Sequence, residues 1–216
     1  MRSSLGLALL FACLACPAAE LELQGSRLVV SGMLDGSAIK TFTQYLANGS
    51  VRTVVFEDSF GGTADAAGAF AEAIRASGVD TEVRGQCMAA CAYAFLAGRT
   101  HRFGYGLQVN GVLLPVAAKP SAAELASRWR DEPHKTLAEF TPVAATAPAK
   151  EAESGGGSAR DAWQPEQGVL FTASPTLFGR IYNAFYCDGT QGRDFSKCER
   201  LSDADPFKLG VLMELR

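Results

Sequence analysis

Residues Thr53-Val54-Val55-Phe56 form a near-continuous apolar run that ends almost at once in Ser59-Phe60-Gly61-Gly62. A run of that length and character is what a strand buried on both faces requires. The next segment can supply one cover. Thr63 to Ala76 is Ala-rich, carries Ala66, Phe70, Ala73 and Ile74 on one side, and is closed by Gly78. Asp80 to Val83 is a second short strand. Upstream, Arg27 to Ser31 is β-rich and stops at Gly32; Asp35 can cap a helix bearing Ile39, Phe42, Tyr45 and Leu46. Downstream, Gly85-Gln86 opens a third helix through Ala97, closed by Gly98, and short strands follow at Arg102-Phe103 and Leu107 to Leu114. Strand–helix alternation of this kind predicts the α/β class, with parallel strands and right-handed crossovers.

The regularity stops after Val116. Residues 117–165 differ in composition: fifteen of the twenty residues from Thr141 to Arg160 are Ala, Pro, Gly, Ser or Thr, too few apolar groups to offset ordering entropy. The block is expected to be an inserted, partly disordered segment, with a helix over Glu124 to Arg130 before it. Order resumes at Gln167 to Thr172, a strand. Ser174-Pro175 then looks like a helix start, with Leu177, Ile181, Phe185 and Tyr186 on the helix. Ser202 to Lys208 is expected to be a short helix and Gly210-Val211-Leu212 a last strand. The compact domain thus comprises 20–116 and 166–216.

Residues 1–19 have the layout of a secretory leader: Arg2, an apolar stretch from Leu5 to Ala15, and a small-residue exit at Cys16-Pro17-Ala18-Ala19. A lipid anchor at Cys16 is disfavoured, because Cys13 stands where a lipoprotein signal has an aliphatic residue. No other run is long enough to span a bilayer. The destination is periplasmic or secreted. Removal of the leader leaves Cys87, Cys91, Cys187 and Cys198. Four cysteines allow three pairings, of which sequence proximity favours Cys87–Cys91 and Cys187–Cys198. Their spacings suit a four-thiolate zinc site poorly, so no metal and no cofactor is expected. A net charge of −3 without a basic stripe argues against nucleic-acid binding.

The segment from Phe56 to Val112 resembles the Clp-type serine proteases, more closely their exported, cysteine-containing relatives. Ser59-Phe60-Gly61-Gly62 stands where that family has a Ser-Pro-Gly-Gly turn. Gly85-Gln86-Cys87-Met88-Ala89-Ala90-Cys91-Ala92 resembles the start of the nucleophile-bearing helix, and Leu107-Gln108-Val109-Asn110-Gly111 the strand carrying the base. Leu201 to Gly210 resembles the closing helix–strand. The resemblance implies a ClpP/crotonase-like fold, ring-type homo-oligomers (trimers or hexamers) and acyl-transfer chemistry. It also implies that the chemistry is lost here. The nucleophile position falls on Ala89, whose methyl has no lone pair, and the base position on Asn110, whose amide cannot take a proton at neutral pH. Losing either member of such a triad costs on the order of 10⁶ in turnover. The third position is not located; Asp161 is the nearest acidic residue before the strand at Gln167.

What the resemblance leaves intact is backbone: Gly61, Gly62 and the N–H of Ala90 as an oxyanion-type cradle. Glu57 and Asp58 close the buried strand at its carboxyl end, where ligands bind in open α/β sheets, and either is a possible cleft carboxylate. The alternative for both is to cap and solvate a turn. His101 and His134 are expected to be exposed and without a role. The function expected is a catalytically inactive Clp-protease-like protein that binds a peptide or protein partner or serves as a scaffold. The alternative is a hydrolase of the same fold with a non-standard catalytic group.

Overall fold

The computed structural model describes residues 18–116, 118–128, 167–191 and 194–213. The expected leader before Ala18, His134, Asp161 and most of the expected insertion lie outside the described residues. Nine strands form one sheet: β1 (Glu20–Gln24), β2 (Arg27–Ser31), β3 (Thr53–Ser59), β4 (Asp80–Met88), β5 (His101–Phe103), β6 (Asn110–Pro115), β7 (Gln167–Thr176), β8 (Gly179–Asp188) and β9 (Glu199–Arg200). Their order is β1-β2-β3-β4-β6-β7-β8-β9, with β5 also beside β4. The strands β2, β3, β4, β5 and β6 run parallel, as expected; β1, β7, β8 and β9 are antiparallel additions at the two margins.

The helices are α1 (Ile39–Ala47), α2 (Ala64–Ser77), α3 (Ala90–Phe95) and α4 (Ala122–Arg128). The longest, α2, starts where Thr63 caps it by accepting the Ala66 N–H at 3.1 Å and ends at Gly78, whose φ of 64° is the left-handed cap glycine supplies. Its buried face (Ala66, Ala67, Phe70, Ala71, Ile74) joins Val54 and Phe56 of β3 and Phe42 of α1 in the main core, where the Phe42 and Phe70 rings lie 4.6 Å apart. Asp35 does not cap α1 directly; its carboxylate accepts from the Ser37 N–H and hydroxyl one turn ahead of the helix. On β4, the buried Glu82 carboxylate is shared by Arg27, Arg84 and Arg102, so charge ties β4 to its neighbour β5 and, across β3, to β2.

Five expected elements are corrected. The third helix does not begin at Gly85: β4 continues to Met88, and only Ala90–Phe95 is helical. No helix follows Ser174-Pro175. Both lie in β7, which turns at Leu177-Phe178 into β8. The spacing of Leu177, Ile181 and Phe185 imitates a helical face, but the segment also carries Phe178, Tyr182 and Tyr186, aromatic residues that favour strands. Ser202 to Lys208 and Gly210 to Leu212 are turns, held by bonds such as Val211 N–H to Pro206 C=O at 2.9 Å. The strand expected from Leu107 begins at Asn110. Among the described residues no helix is long and apolar enough to cross a membrane, and no cluster of His, Cys, Asp and Glu could hold a metal.

Candidate functional site

β4 gives way to α3 through a single residue, Ala89, with φ 53° and ψ −106°. An alanine in this conformation costs about 1–3 kcal/mol and persists only where its surroundings over-determine it. Here they do. The Ala89 N–H donates to the Leu113 carbonyl (3.1 Å), its carbonyl accepts the Tyr93 N–H (3.0 Å), and the Cys87–Cys91 disulfide brackets it from both sides. A sharp strand-to-helix turn of this kind lifts a nucleophile out of a sheet. At this one the side chain is a methyl, and Ala89 and Ala90 are fully buried.

Asn110 is not beside Ala89. The β4–β6 register places Gly111 opposite Gln86 and Leu113 opposite Met88, so Asn110 falls at the level of Gly85. The residue next to the turn is Leu113, whose side chain lies in a separate apolar cluster with Met88, Leu170 and Cys187. Neither position offers a proton acceptor of the kind an acyl transfer needs.

What Asn110 does is structural. β5 pairs with the first half of β4 and β6 with the second, leaving a break at residues 104–109. Asn110 spans it: its Oδ1 accepts the Gly85 N–H (2.8 Å) and its Nδ2 donates to the Gly104 carbonyl (2.8 Å). On the other side of β4 the β3 register shifts between Glu57 and Ser59, with Asp58 at φ 47°. The Asp58 carboxylate accepts the Gln86 N–H (3.0 Å). Gly85 is required between these two amide and carboxylate clamps, because its φ is +68° and a Cβ would stand 2.0 Å from Asp58 Oδ1. One dislocation therefore crosses three neighbouring strands, and Asn110 and Asp58 satisfy the backbone groups it frees.

Asp58 is thus engaged in the sheet, while Glu57 is half-buried beside it. Gly61 and Gly62 are buried, and Leu34 packs along them. The Leu34 N–H donates to the Gly61 carbonyl (3.0 Å), the Leu34 carbonyl accepts the Thr63 N–H (2.9 Å), and a Cβ on Gly62 would stand 2.1 Å from the Leu34 oxygen. Gly62 is glycine because Leu34 packs against it. Ser59, not singled out from sequence except as a turn residue, is fully buried opposite Cys87 and its Oγ has no hydrogen-bond partner among the described residues. Its position at the strand end was legible; its isolation was not, since that depends on what surrounds it.

His101, expected to be exposed, is buried, with only 4% of its surface exposed. Its Nδ1 is 2.7 Å from the Val211 carbonyl and its ring meets Phe95 edge-on. Burial holds its pKa below the usual histidine value. The pairs Cys87–Cys91 and Cys187–Cys198 are both bonded, as proximity suggested.

No protein-family model matches the chain, and no curated protein matches it. Among solved structures it is similar to a ClpP1 from Listeria monocytogenes (15% identity, 42% of this chain and 57% of that one, TM-score 0.35). It is also similar to a membrane-bound stomatin-specific protease (18% identity, 43% and 50%, TM-score 0.33). A third is a candidate enoyl-CoA hydratase from Streptomyces coelicolor (15% identity, 53% and 53%, TM-score 0.34). The chain spans about half the length of each.

Proposed function

We propose that this chain is a catalytically inactive Clp-protease-like protein of the periplasm or extracellular medium, working as a scaffold or protein-binding unit. The turn at Ala89 carries the reading: a strained strand-to-helix geometry suited to a nucleophile is retained, cross-linked and filled by a methyl. The burial of Gly61 and Gly62 against Leu34 favours a scaffold over a peptide cradle at that point. Two bonded cysteine pairs support an oxidising compartment.

The test is incubation of the purified chain with model peptides and nitrophenyl esters. We expect no turnover above the uncatalysed background. Ala89→Ser alone should stay inactive, because a serine without its base loses on the order of 10⁶ in rate. Turnover by the unmodified chain that disappears in Ser59→Ala, Glu57→Gln or Asp58→Asn would overturn the proposal in favour of a hydrolase with a non-standard group.

A further inference from the structure

We propose that the cavity at the far end of α3 from the Ala89 turn binds a small amphiphilic anion, a carboxylate or sulfonate head on an apolar body. The cavity measures about 540 Å³, within the roughly 300–1,000 Å³ of pockets that take small organic ligands. Arg75, Arg99 and His101 line it together with Leu96, Ala97 and Met213, and among the described residues no carboxylate does. The fold places it. The helix α2 stops at Gly78, α3 stops at Phe95, and the chain enters β5 at His101, so two helix ends and a strand start frame one hollow.

The charges there are not spent on each other. Arg99 gives Nε and Nη2 to the two Asp80 oxygens at 3.1 and 3.0 Å, which fixes its plane and offsets its charge. Arg75 has no ion pair among the described residues. Its Nη2 donates to the Tyr93 hydroxyl at 3.4 Å and its guanidinium stands 5.8 Å from the centre of that ring. Those contacts aim the side chain without neutralising it. A place in the last turn of α2 suits a cation, but a helix end offers only about half a charge. One guanidinium left over calls for one negative charge, and its planar fork matches a carboxylate or sulfonate. His101 adds no charge at neutral pH, since burial lowers its pKa and its Nδ1 is engaged at the Val211 carbonyl.

The rest of the lining is apolar. Leu96 is half-buried, and Met213 is 40% exposed with its N–H pinned to the His101 carbonyl at 2.9 Å. An unbranched methionine adapts to apolar bodies of different shape. Gly78 also lines the hollow, and a Cβ there would meet nothing within 4 Å, so the space beside it is open.

The test is titration of the purified full chain with two fluorescent dyes: anilinonaphthalene sulfonate and phenylnaphthylamine, which has the same rings without the sulfonate. The expected result is saturable binding of the sulfonate and much weaker binding of the uncharged dye. Arg75→Gln, at an exposed position without an ion pair, should lower the sulfonate affinity by roughly tenfold and leave the uncharged dye unaffected. Met213→Trp should fill the hollow and weaken the sulfonate as well. Decanoate should displace the dye, and inorganic phosphate at the same concentration should not. The proposal is overturned by absence of saturable binding, by equal affinity for the two dyes, or by phosphate competing as well as decanoate. It is also overturned if Phe178→Ser abolishes binding while Arg75→Gln does not, because the dye then sits on the exposed hairpin tip.

Discussion

Asn110 shows how a residue that looks like a lost catalytic group can be fully employed elsewhere. Both ends of its amide are spent on backbone, one on the Gly85 N–H and one on the Gly104 carbonyl, in a fully buried position. Removing both partners at once leaves a donor and an acceptor buried and unmet, each costing about 1–3 kcal/mol. Asn110→Leu should therefore destabilise the fold by roughly 2–4 kcal/mol in urea unfolding followed by circular dichroism. Asn110→His, the substitution that would rebuild a base if the position were catalytic, should be comparably destabilising and should produce no esterase activity even when combined with Ala89→Ser. An unperturbed melting temperature in Asn110→Leu would show that water, rather than the amide, satisfies the break between β5 and β6.

At the scale of elements, the parallel half was legible because its signals are local: apolar runs such as Val54-Val55-Phe56, a Thr63 cap and a Gly78 stop lie within a few residues of what they specify. The β7–β8 hairpin was not. Helical and strand periodicity coincide over Leu177, Ile181 and Phe185, and pairing with Asn110–Pro115, about sixty residues earlier in the chain, decides between them. Where Asn110 stands relative to Ala89 was not legible for the same reason. Proximity to Ala89 is set by the β4–β6 register, which sequence spacing does not encode. His101 is a further case: a polar residue in a basic turn by sequence, it anchors the C-terminal segment, with Nδ1 on the Val211 carbonyl and its own carbonyl accepting the Met213 N–H at 2.9 Å. It lines a cavity of about 540 Å³ with Arg75 and Arg99, so protonation would add a third cation there. Because the folded pKa lies below the unfolded value near 6.5, the unfolded chain takes up the proton first. Stability should be level above pH 6.5 and fall as pH drops below it, at no more than about 1.4 kcal/mol per pH unit from this group. His101→Asn keeps a donor for Val211 without the titration. Urea midpoints at pH 7 and pH 5 should then differ less in the variant than in the parent; an equal difference in both would assign the effect to carboxylates.

Over the whole molecule, two cross-links hold the fold at separate places. Cys87–Cys91 clamps the Ala89 turn, and Cys187–Cys198 ties the end of β8 to the strand that follows, within the cluster of Met88, Leu113 and Leu170. Closing loops of this size stabilises by about 2–3 kcal/mol each in the chain-entropy account. Together they amount to a large share of the about 5–15 kcal/mol that holds a domain folded. The chain should therefore accumulate in soluble form when exported and aggregate when made with reduced cysteines. The same chemistry tests whether residues 1–19 are removed as an expected leader. Of the six cysteines, Cys13 and Cys16 precede Ala19 and the other four are paired. Chain recovered from an oxidising compartment after cleavage near Ala19 should show no free thiol when titrated in denaturant, and a mass matching residues 20–216. An uncleaved chain carries two further cysteines and the full mass, and a lipidated one begins at Cys16 with an acyl mass added. Intact mass separates these three outcomes, and only the first agrees with a leader that is removed whole.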